Sequence, residues 1–179
     1  MMEELSLHIL DIVENSINAG ATLVKIDLSI DKKMDEFNLT ITDDGKGMDE
    51  EMVKNIRDPF FTTRTTRRVG LGVSFLDEIA DLTGGSLDIN STPGKGTVVS
   101  LRLPFNHPDR PPLGDIISTL MTILMTAQDT RFIYRETRDN KEWIFDSAEV
   151  TGISDPVFLK QVKDMLYNSY KEFTGGELI

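Results

Sequence analysis

The chain has 179 residues, 39% of them hydrophobic, which is enough for one domain, or one domain and a small addition, around a buried core. Its formal net charge of −11 argues against unaided nucleic-acid binding, and the absence of cysteine excludes disulfides, thiolate catalysis and cysteine-ligated zinc. The N-terminus lacks a signal-peptide pattern, and the longest apolar run, residues 116–127, is shorter than the roughly 20 residues needed to cross a bilayer. We therefore expect a cytoplasmic protein that binds neither nucleic acid nor membrane.

The first predicted element is an amphipathic helix over residues 4–19. Its apolar residues recur at a spacing near 3.6, and Gly20 follows as the expected C-terminal cap. A polar stripe runs along the opposite side at intervals of three and four residues; it comprises His8, Asp11, Asn15 and Asn18. Taken alone, such a stripe is most simply the solvated side of a surface helix.

Alternating apolar and polar residues predict four strands, at residues 24–30, 37–41, 86–91 and 97–103. Two helices are expected between the second and third strands, one from the N-cap Asp49 to Ile56 and one over residues 71–83. Helices interleaved with strands in this order predict an α/β fold, a two-layer α+β sandwich with a small mixed sheet.

A boundary is predicted between Pro104 and Gly114, where four of the seven prolines lie in a stretch that sustains neither a helix nor a central strand. Residues 1–104 would form the first domain, residues 105–114 a proline-rich linker, and residues 115–179 a small α+β unit.

The second unit is predicted to contain a helix, a hairpin and a helix. The first helix would run from the cap Asp115 to Ala127, and the hairpin would pair residues 131–135 with 142–145. The last helix would start at Ser154-Asp155-Pro156. It is expected to bury Phe158, Val162, Met165, Leu166, Tyr170 and Phe173. The unit shows no recognisable chemistry and could dock on the first domain or build a homodimer.

Four short motifs follow one another in the first hundred residues. They are Asp11–Ser16 (DIVENS), Asp43–Gly47 (DDGKG), Asp58–Phe61 (DPFF) and Gly70–Gly72 (GLG), with Gly96-Thr97 closing the set. Each is weak alone, since Asp-x-Gly-x-Gly is a common turn composition. In this order they resemble the ATP site of the GHKL superfamily, which unites DNA gyrase, heat-shock chaperones, histidine kinases and mismatch-repair ATPases. The resemblance covers residues 3–104 and implies a Bergerat-type ATP-binding fold with ATP and Mg²⁺ as cofactors.

The resemblance gives the polar stripe a function. It implies that the amide oxygen of Asn15 binds a Mg²⁺ ion on the ATP phosphates, and it assigns Asn18 to the same nucleotide site. One helical turn earlier, Asp11 stands where many family ATPases carry the glutamate that activates the attacking water. Aspartate is one methylene shorter, so we expect water-driven hydrolysis to be impaired. Phosphoryl transfer to a side chain of a partner would be less affected, because the partner supplies the nucleophile.

The second motif would recognise adenine. The resemblance implies that the carboxylate of Asp43 accepts a hydrogen bond from the exocyclic amine, and that the hydroxyl of Thr97 lies near this carboxylate. Gly45 and Gly47 would let the backbone approach the base, and Met48 would pack on the ring. From the residues alone, Asp-Asp-Gly is more simply a surface β-turn.

The third motif matches the family's phenylalanine box, of which Phe60 is the expected nucleotide contact, although adjacent phenylalanines are more often core. Residues 62–68 then form the densest basic stretch of the chain, and this composition predicts a mobile lid over the triphosphate. Three arginines of the stretch are the candidate phosphate ligands, in the order Arg64, Arg67 and Arg68.

The fourth motif places Gly70, Leu71 and Gly72 directly before a helix. Backbone N–H groups at the N-terminus of a helix bind phosphate oxygens, and glycine keeps the approach free of side chains. The motif therefore predicts a second group of phosphate ligands.

Two functions of different classes fit such a site. The first is a GHKL-type protein kinase that passes the γ-phosphate of ATP to a histidine or serine of an unidentified partner protein. The second is an ATP-controlled binding module with little or no turnover, and a slow ATPase is a third, weaker option. Only ten residues precede Asp11, so we expect no phospho-acceptor helices before it and no autophosphorylation in cis.

Overall fold

The computed structural model describes residues 4–57, 72–127, 129–150, 155–177 and 179. The helices of these ranges are α1 (Leu5–Asn18), α2 (Glu50–Asn55), α3 (Gly72–Thr83), α4 (Ile116–Thr126) and α5 (Pro156–Thr174). The strands are β1 (Leu23–Asp31), β2 (Glu36–Asp43), β3 (Ser86–Thr92), β4 (Gly96–Pro104), β5 (Arg131–Arg138) and β6 (Lys141–Asp146). A 3₁₀ turn, Ser147–Glu149, follows β6.

The strands form one mixed sheet in the order β3-β4-β2-β1-β5-β6. Neighbouring strands are antiparallel except for β1 and β5, which run parallel with Leu23 opposite Arg131. The predicted fold class, an α/β two-layer sandwich with a mixed sheet, is confirmed.

Helices cover one face of the sheet. Along β1 the buried residues alternate with exposed or half-buried ones; the buried ones are Val24, Ile26, Leu28 and Ile30. Burial of each such side chain contributes about 1.5–3 kcal/mol, so the sheet depends on the helical layer above it. In that layer α1 packs between α3 and α4, and α5 packs against α4 and β6.

The proline-rich segment is packed against the start of α1. The N–H groups of Leu5 and Ser6 donate to the carbonyl oxygens of Pro112 and Leu113, each over 2.9 Å. These bonds satisfy two of the backbone donors that a helix N-terminus leaves unpaired. The segment therefore positions the helix that carries Asp11 and Asn15.

Residues 115–179 dock on the first part of the chain, because β5 pairs with β1 and α4 packs against α1. The sheet is thus continuous across the predicted boundary at residues 105–114. The division into two units stays a prediction about independent folding.

Helix α5 differs in one respect from the sequence prediction. Val162 and Leu166 are buried, and the three aromatic residues that were expected inside are partly buried, namely Phe158, Tyr170 and Phe173. The prediction that Met165 is buried is wrong, since 58% of it is exposed. Met165 precedes the inward-facing Leu166 by one residue, and that step turns its side chain by about 100° around the helix axis.

A buried charge pair on β5 is hydrogen-bonded to α5. Glu136 is fully buried, and its Oε1 accepts a hydrogen bond of 2.6 Å from Nε of Arg138. Its Oε2 accepts from the hydroxyls of Tyr134 and Tyr170, over 2.6 and 2.9 Å. Burial, together with the neighbouring Glu136 carboxylate, raises the pKa of both tyrosines, so they remain hydrogen-bond donors.

The sequence predicts that the chain has no segment long enough to cross a bilayer. Among the residues that the structure describes, no helix is long and apolar enough to cross a membrane.

Candidate functional site

Asp43 lies half-buried at the end of β2, with both carboxylate oxygens hydrogen-bonded. The hydroxyl of Ser16 donates to Oδ2 over 2.7 Å, and the backbone N–H of Gly45 donates to Oδ1 over 2.9 Å. Thr97, the second residue of β4, is the cross-strand neighbour of Asp43. Each carboxylate oxygen can accept a second hydrogen bond, so the group is held in one orientation and can still accept from a ligand.

The hydroxyl of Thr97 is fixed from the opposite side by β3. Its Oγ1 lies 2.9 Å from Oγ of Ser91, and the same Ser91 oxygen accepts from the backbone N–H of Met48 over 2.8 Å. Ser91 therefore joins the start of β4 to the end of the glycine turn. The sequence prediction omitted Ser16 and Ser91, although Ser16 stands within the first motif and Ser91 is the second-last residue of β3, close to the β3–β4 turn.

The glycine turn, residues 44–48, lies between the C-terminal end of α1 and the β3–β4 turn. The N–H of Lys46 donates to the carbonyl oxygen of Ala19, and the carbonyl oxygen of Lys46 accepts from the N–H of Gly94. Gly47 has a φ of +67°, and a Cβ there would lie 2.0 Å from the carbonyl oxygen of Thr92. Only glycine fits this position, so Gly47 is required for the packing of the turn whether or not a base also approaches it.

Gly45 and Gly96 bring the backbone close to Asp43. A Cβ at Gly45 would lie 3.0 Å from Oδ1 of Asp43 and 3.1 Å from Cβ of Ala19. A Cβ at Gly96 would lie 1.9 Å from the carbonyl oxygen of Asp43. The two glycines thus allow the end of β2 to pack tightly between α1 and β4.

Asp44 fixes the adjacent strand. Its carboxylate accepts from the hydroxyl of Thr22 over 2.5 Å and from the backbone N–H groups of Thr22 and Leu23 over 2.7 and 2.9 Å. The hydrogen bond from the Thr22 hydroxyl, followed by that from the Leu23 N–H, lowers the pKa of Asp44. Asp44 therefore ties the start of β1 to the end of β2, next to the Asp43 side chain.

The polar stripe of α1 faces α3 over part of its length. His8 is 3% exposed and packs on Phe75, with the ring centroids 5.5 Å apart, so this end of the stripe is not solvated. Asp11 and Asn15 are half-buried. Asn18 is exposed, and its side-chain amide donates to the carbonyl oxygen of Glu14 in its own helix over 2.5 Å.

Gly72 places the N-terminus of α3 beside Asp11. A Cβ at Gly72 would lie 2.9 Å from Cβ of Asp11 and 3.6 Å from its Oδ2. The N-terminus of a helix carries a partial positive charge, which favours anions nearby. The contact between the middle of α1 and the start of α3 therefore combines a carboxylate with backbone donors that suit a phosphate.

Six predicted nucleotide contacts fall on residues 58–71, outside the described residues; they are Phe60, Arg64, Arg67, Arg68, Gly70 and Leu71. Their functions stay predictions. Directly before this segment, Arg57 contacts Asp77 over 2.6 Å and the carbonyl oxygen of Leu87 over 2.7 Å. The end of α2 is thereby joined to α3 and β3.

The described part of the chain thus brings the first, second and closing motifs together at one end of the sheet. Asp43, Gly45 and Thr97 meet through direct contacts, and Ser16 links them to α1, which carries Asp11 and Asn15. A family model described as "Histidine kinase-, DNA gyrase B-, and HSP90-like ATPase" matches residues 3–107, more than half of the chain.

The chain belongs to this family.

It therefore contains a histidine kinase-type ATPase domain, and the predicted membership of the GHKL superfamily is confirmed. Among similar proteins, the sensor protein kinase FleS of Pseudomonas aeruginosa is 35% identical over 96 residues, which are 54% of this chain and 24% of FleS. The non-motile and phage-resistance protein of Caulobacter vibrioides is 29% identical over 119 residues, which are 62% of this chain and 14% of that protein. The chain thus spans about a quarter or less of the length of these ATPase-family relatives.

A solved structure shares the fold of this ATPase-family chain. It is the crystal structure of the N-terminal domain of a DNA repair protein, with a TM-score of 0.56 and 19% sequence identity. The match covers 80% of this chain and 52% of that one. The similarity in fold therefore extends beyond residues 3–107.

Proposed function

We propose that the chain binds Mg-ATP and transfers the γ-phosphate to a side chain of a partner protein. The observation that supports this most strongly is the arrangement around Asp43, whose carboxylate is held by Ser16 and Gly45 opposite Thr97. Membership of the histidine kinase-type ATPase family and the similarity to proteins named sensor kinases support the same conclusion.

Asp43 would select adenine. With Ser16 and Gly45 already bonded to it, the carboxylate has acceptor positions left for the exocyclic amine of the base. Guanine has a carbonyl at the corresponding position, and two acceptors would then face each other without a proton between them. Leaving such a buried acceptor unpaired costs about 1–3 kcal/mol, so ATP should bind more tightly than GTP.

The phosphates would lie toward Asn15 and the N-terminus of α3. Asn15 supplies one amide oxygen, which suits Mg²⁺, since this ion usually takes its other ligands from phosphates and water. The N-terminus of α3 at Gly72 adds a partial positive charge, and Arg64, Arg67 and Arg68 are proposed as further phosphate ligands. Bound magnesium would neutralise part of the charge that develops on the phosphates during transfer.

Asp11 would act on the proton of the nucleophile. In the transfer, a nitrogen or oxygen of the partner forms a bond to the γ-phosphorus, the bond between this phosphorus and the β–γ bridging oxygen breaks, and ADP leaves. The proton released by the nucleophile passes to the carboxylate of Asp11, which is half-buried beside Gly72. Phosphoryl transfer depends mainly on positioning and charge. A short carboxylate should therefore slow the reaction of a side chain that the partner holds in place less than the reaction of a weakly held water.

Asp11 also favours a second candidate, an ATP-controlled protein-binding module with little or no turnover. An aspartate in place of the family's glutamate reduces hydrolysis and so lengthens the lifetime of the ATP-bound state. A slow ATPase is the weakest candidate, because the same aspartate would impair the attack of water on ATP.

Calorimetry with a non-hydrolysable ATP analogue, with and without Mg²⁺, tests the nucleotide site. We expect saturable binding that Mg²⁺ strengthens, and Asn15→Ala should remove most of the magnesium dependence. Asn38→Ala, a substitution of the same kind on the sheet face away from the helices, is the control. Absence of heat at near-millimolar analogue would contradict the proposal.

Radiolabel transfer separates the candidates. The chain is incubated with γ-labelled ATP and with proteins that co-purify with it from the source cells in the presence of ATP. Label on a partner that Asp11→Asn abolishes supports the kinase, whereas ATP-dependent capture without label supports the binding module. Asp11→Glu should raise the rate of ATP hydrolysis if the short side chain is the limitation, and an unchanged rate would contradict our explanation of Asp11.

A further inference from the structure

A groove of about 440 Å³ runs along the outer side of α3, on the part of the helix that follows Gly72. Arg57 is one of the residues that line it, and α3 contributes the acidic and apolar side chains. The groove starts near the proposed phosphate end of the site, because Phe75 follows Gly72 by about 4.5 Å along the helix axis, and Gly72 lies against Asp11.

The floor of the groove carries two large apolar side chains that the described residues leave accessible. Phe75 is 36% exposed and Leu82 is 61% exposed. They are seven residues apart, hence on one face of α3 and about 10 Å from each other along the axis. The ring of Phe75 also contacts the ring of His8, with the centroids 5.5 Å apart, and this contact supports its position on α3.

The groove is negatively charged. Among the described residues that line it are three carboxylates of α3 and one cation, Arg57, whose guanidinium pairs with Asp77 over 2.6 Å. Glu78 and Asp81 form no ion pair with any residue in the described ranges. Within the described ranges, two carboxylates beside Phe75 and Leu82 are therefore without an ionic partner.

We propose that this groove docks a basic amphipathic helix of the partner protein. Its apolar residues would pack on Phe75 and Leu82, and its lysines or arginines would face Glu78 and Asp81. Charge complementarity argues for this occupant. An acidic or purely apolar segment would cover Glu78 and Asp81 without supplying a cation to pair with them. The inference rests on the proposed function, since a segment docked here would bring the partner's acceptor side chain toward Asp11.

Selection from a random peptide library tests the groove and does not require that the partner be identified first. A phage-displayed library of 16-residue peptides is selected against the full chain, and the enriched peptides are then measured by fluorescence anisotropy. We expect them to carry lysine or arginine between apolar residues at helical spacing. They should bind the wild-type chain at least tenfold more tightly than the Glu78→Lys/Asp81→Lys variant or the Leu82→Ala variant.

The control carries the same charge change on another helix. Asp164→Lys/Glu172→Lys alters two exposed carboxylates of α5 and should leave peptide binding unchanged within about twofold. Affinity for the ATP analogue, measured on every variant, separates the two proposals. A chain that binds the analogue but selects no groove-dependent peptide contradicts the docking site alone, and a chain that binds no analogue contradicts the nucleotide site.

Other occupants give different results, each of which would overturn the assignment. A concentration-dependent dimer in sedimentation that Leu82→Ala dissociates would assign the groove to a second copy of the chain. Tight, groove-dependent binding of a synthetic peptide of residues 60–70 would assign it to the chain's own basic segment. Selected peptides that bind the wild-type and charge-reversed chains equally would exclude recognition by Glu78 and Asp81.

Discussion

The hydroxyl of Ser16 donates a hydrogen bond of 2.7 Å to Oδ2 of Asp43, although the two residues are 27 positions apart in the chain. Ser16 directly follows Asn15 on α1. Helix α1 therefore carries Asn15, the proposed magnesium ligand, and also orients the carboxylate of Asp43, which is proposed to bind adenine. The two ends of the proposed nucleotide site are thus positioned by the same helix.

Ser16→Ala should weaken nucleotide binding without unfolding the chain. A hydrogen bond to a charged group contributes about 1.5–3 kcal/mol, and loss of the positioning part of it should raise the Kd for the ATP analogue by about tenfold. Calorimetry measures the change, and circular dichroism checks the fold. Ser29→Ala, an exposed serine of β1, is the matched control, and equal Kd values for the two variants would show that the contact does not position Asp43.

Asp43→Asn should abolish the preference for ATP over GTP. An asparagine side chain has one acceptor oxygen and one NH₂ group, so it cannot accept from both Ser16 and Gly45 and still accept from adenine. We expect the affinity for ATP to fall by about 100-fold or more and the ratio of the ATP and GTP affinities to approach one. If the wild-type chain already binds both nucleotides equally, the assigned role of Asp43 is wrong.

The local elements of this site could be predicted from the sequence because their signals are local. The spacing of apolar residues indicates α1, and the breakers at residues 93–96 indicate the β3–β4 turn, both close to where the structure has them. The contact between Ser16 and Asp43 could not be predicted in this way. It depends on how α1 crosses the end of β2, and that crossing is determined by packing over the whole sheet.

The burial of charged residues on β5 was also missed, because it too depends on contacts between elements that are far apart in the sequence. The pattern of β5 predicts a strand that ends at residue 135, whereas the strand continues to Arg138 through the charged Glu136. A glutamate and an arginine two residues apart share one face of a strand, and this spacing was the available signal. Their burial follows only when α5 is placed over β5, which no local pattern specifies.

Glu136→Ala should destabilise the fold strongly. The substitution leaves Arg138, which is 7% exposed, as an unpaired buried charge, and breaking such a pair costs about 3–5 kcal/mol. Urea unfolding followed by the fluorescence of Trp143, the single tryptophan of the chain, measures the free energy of unfolding. Glu142→Ala, in the neighbouring strand and half-exposed, should cost less than about 1 kcal/mol. Similar costs at the two positions would contradict a stabilising buried pair.

Stability should fall in acid partly through Asp44. The folded state lowers the pKa of this carboxyl, chiefly through the hydrogen bond from the Thr22 hydroxyl, so its contribution is fully present above the unfolded pKa near 3.8. The contribution is lost as the pH falls through the lower folded value. Thermal unfolding of Asp44→Asn should therefore depend less steeply on pH below about pH 4 than that of the wild type.

The difference in Tm should reach only about 1–3 °C, because Asp44 is exposed and solvent screens its interactions. Asp115, Asp146 and Glu177 also have lowered pKa values, so most of the acid sensitivity should remain in the variant. Identical pH profiles for the two chains would show that the Asp44 contacts do not stabilise the fold.

The parallel pairing of β1 with β5 has a consequence for synthesis of the chain. About one hundred residues separate the end of β1 from the start of β5. At a synthesis rate of about 5–20 residues per second, β5 is therefore made roughly 5–20 s after β1. During that interval β2 can already occupy one side of β1, while the backbone groups on its other side have no partner strand. The nascent protein thus presents an apolar strand edge that chaperones can bind, and this exposure ends only when residues 131–138 emerge.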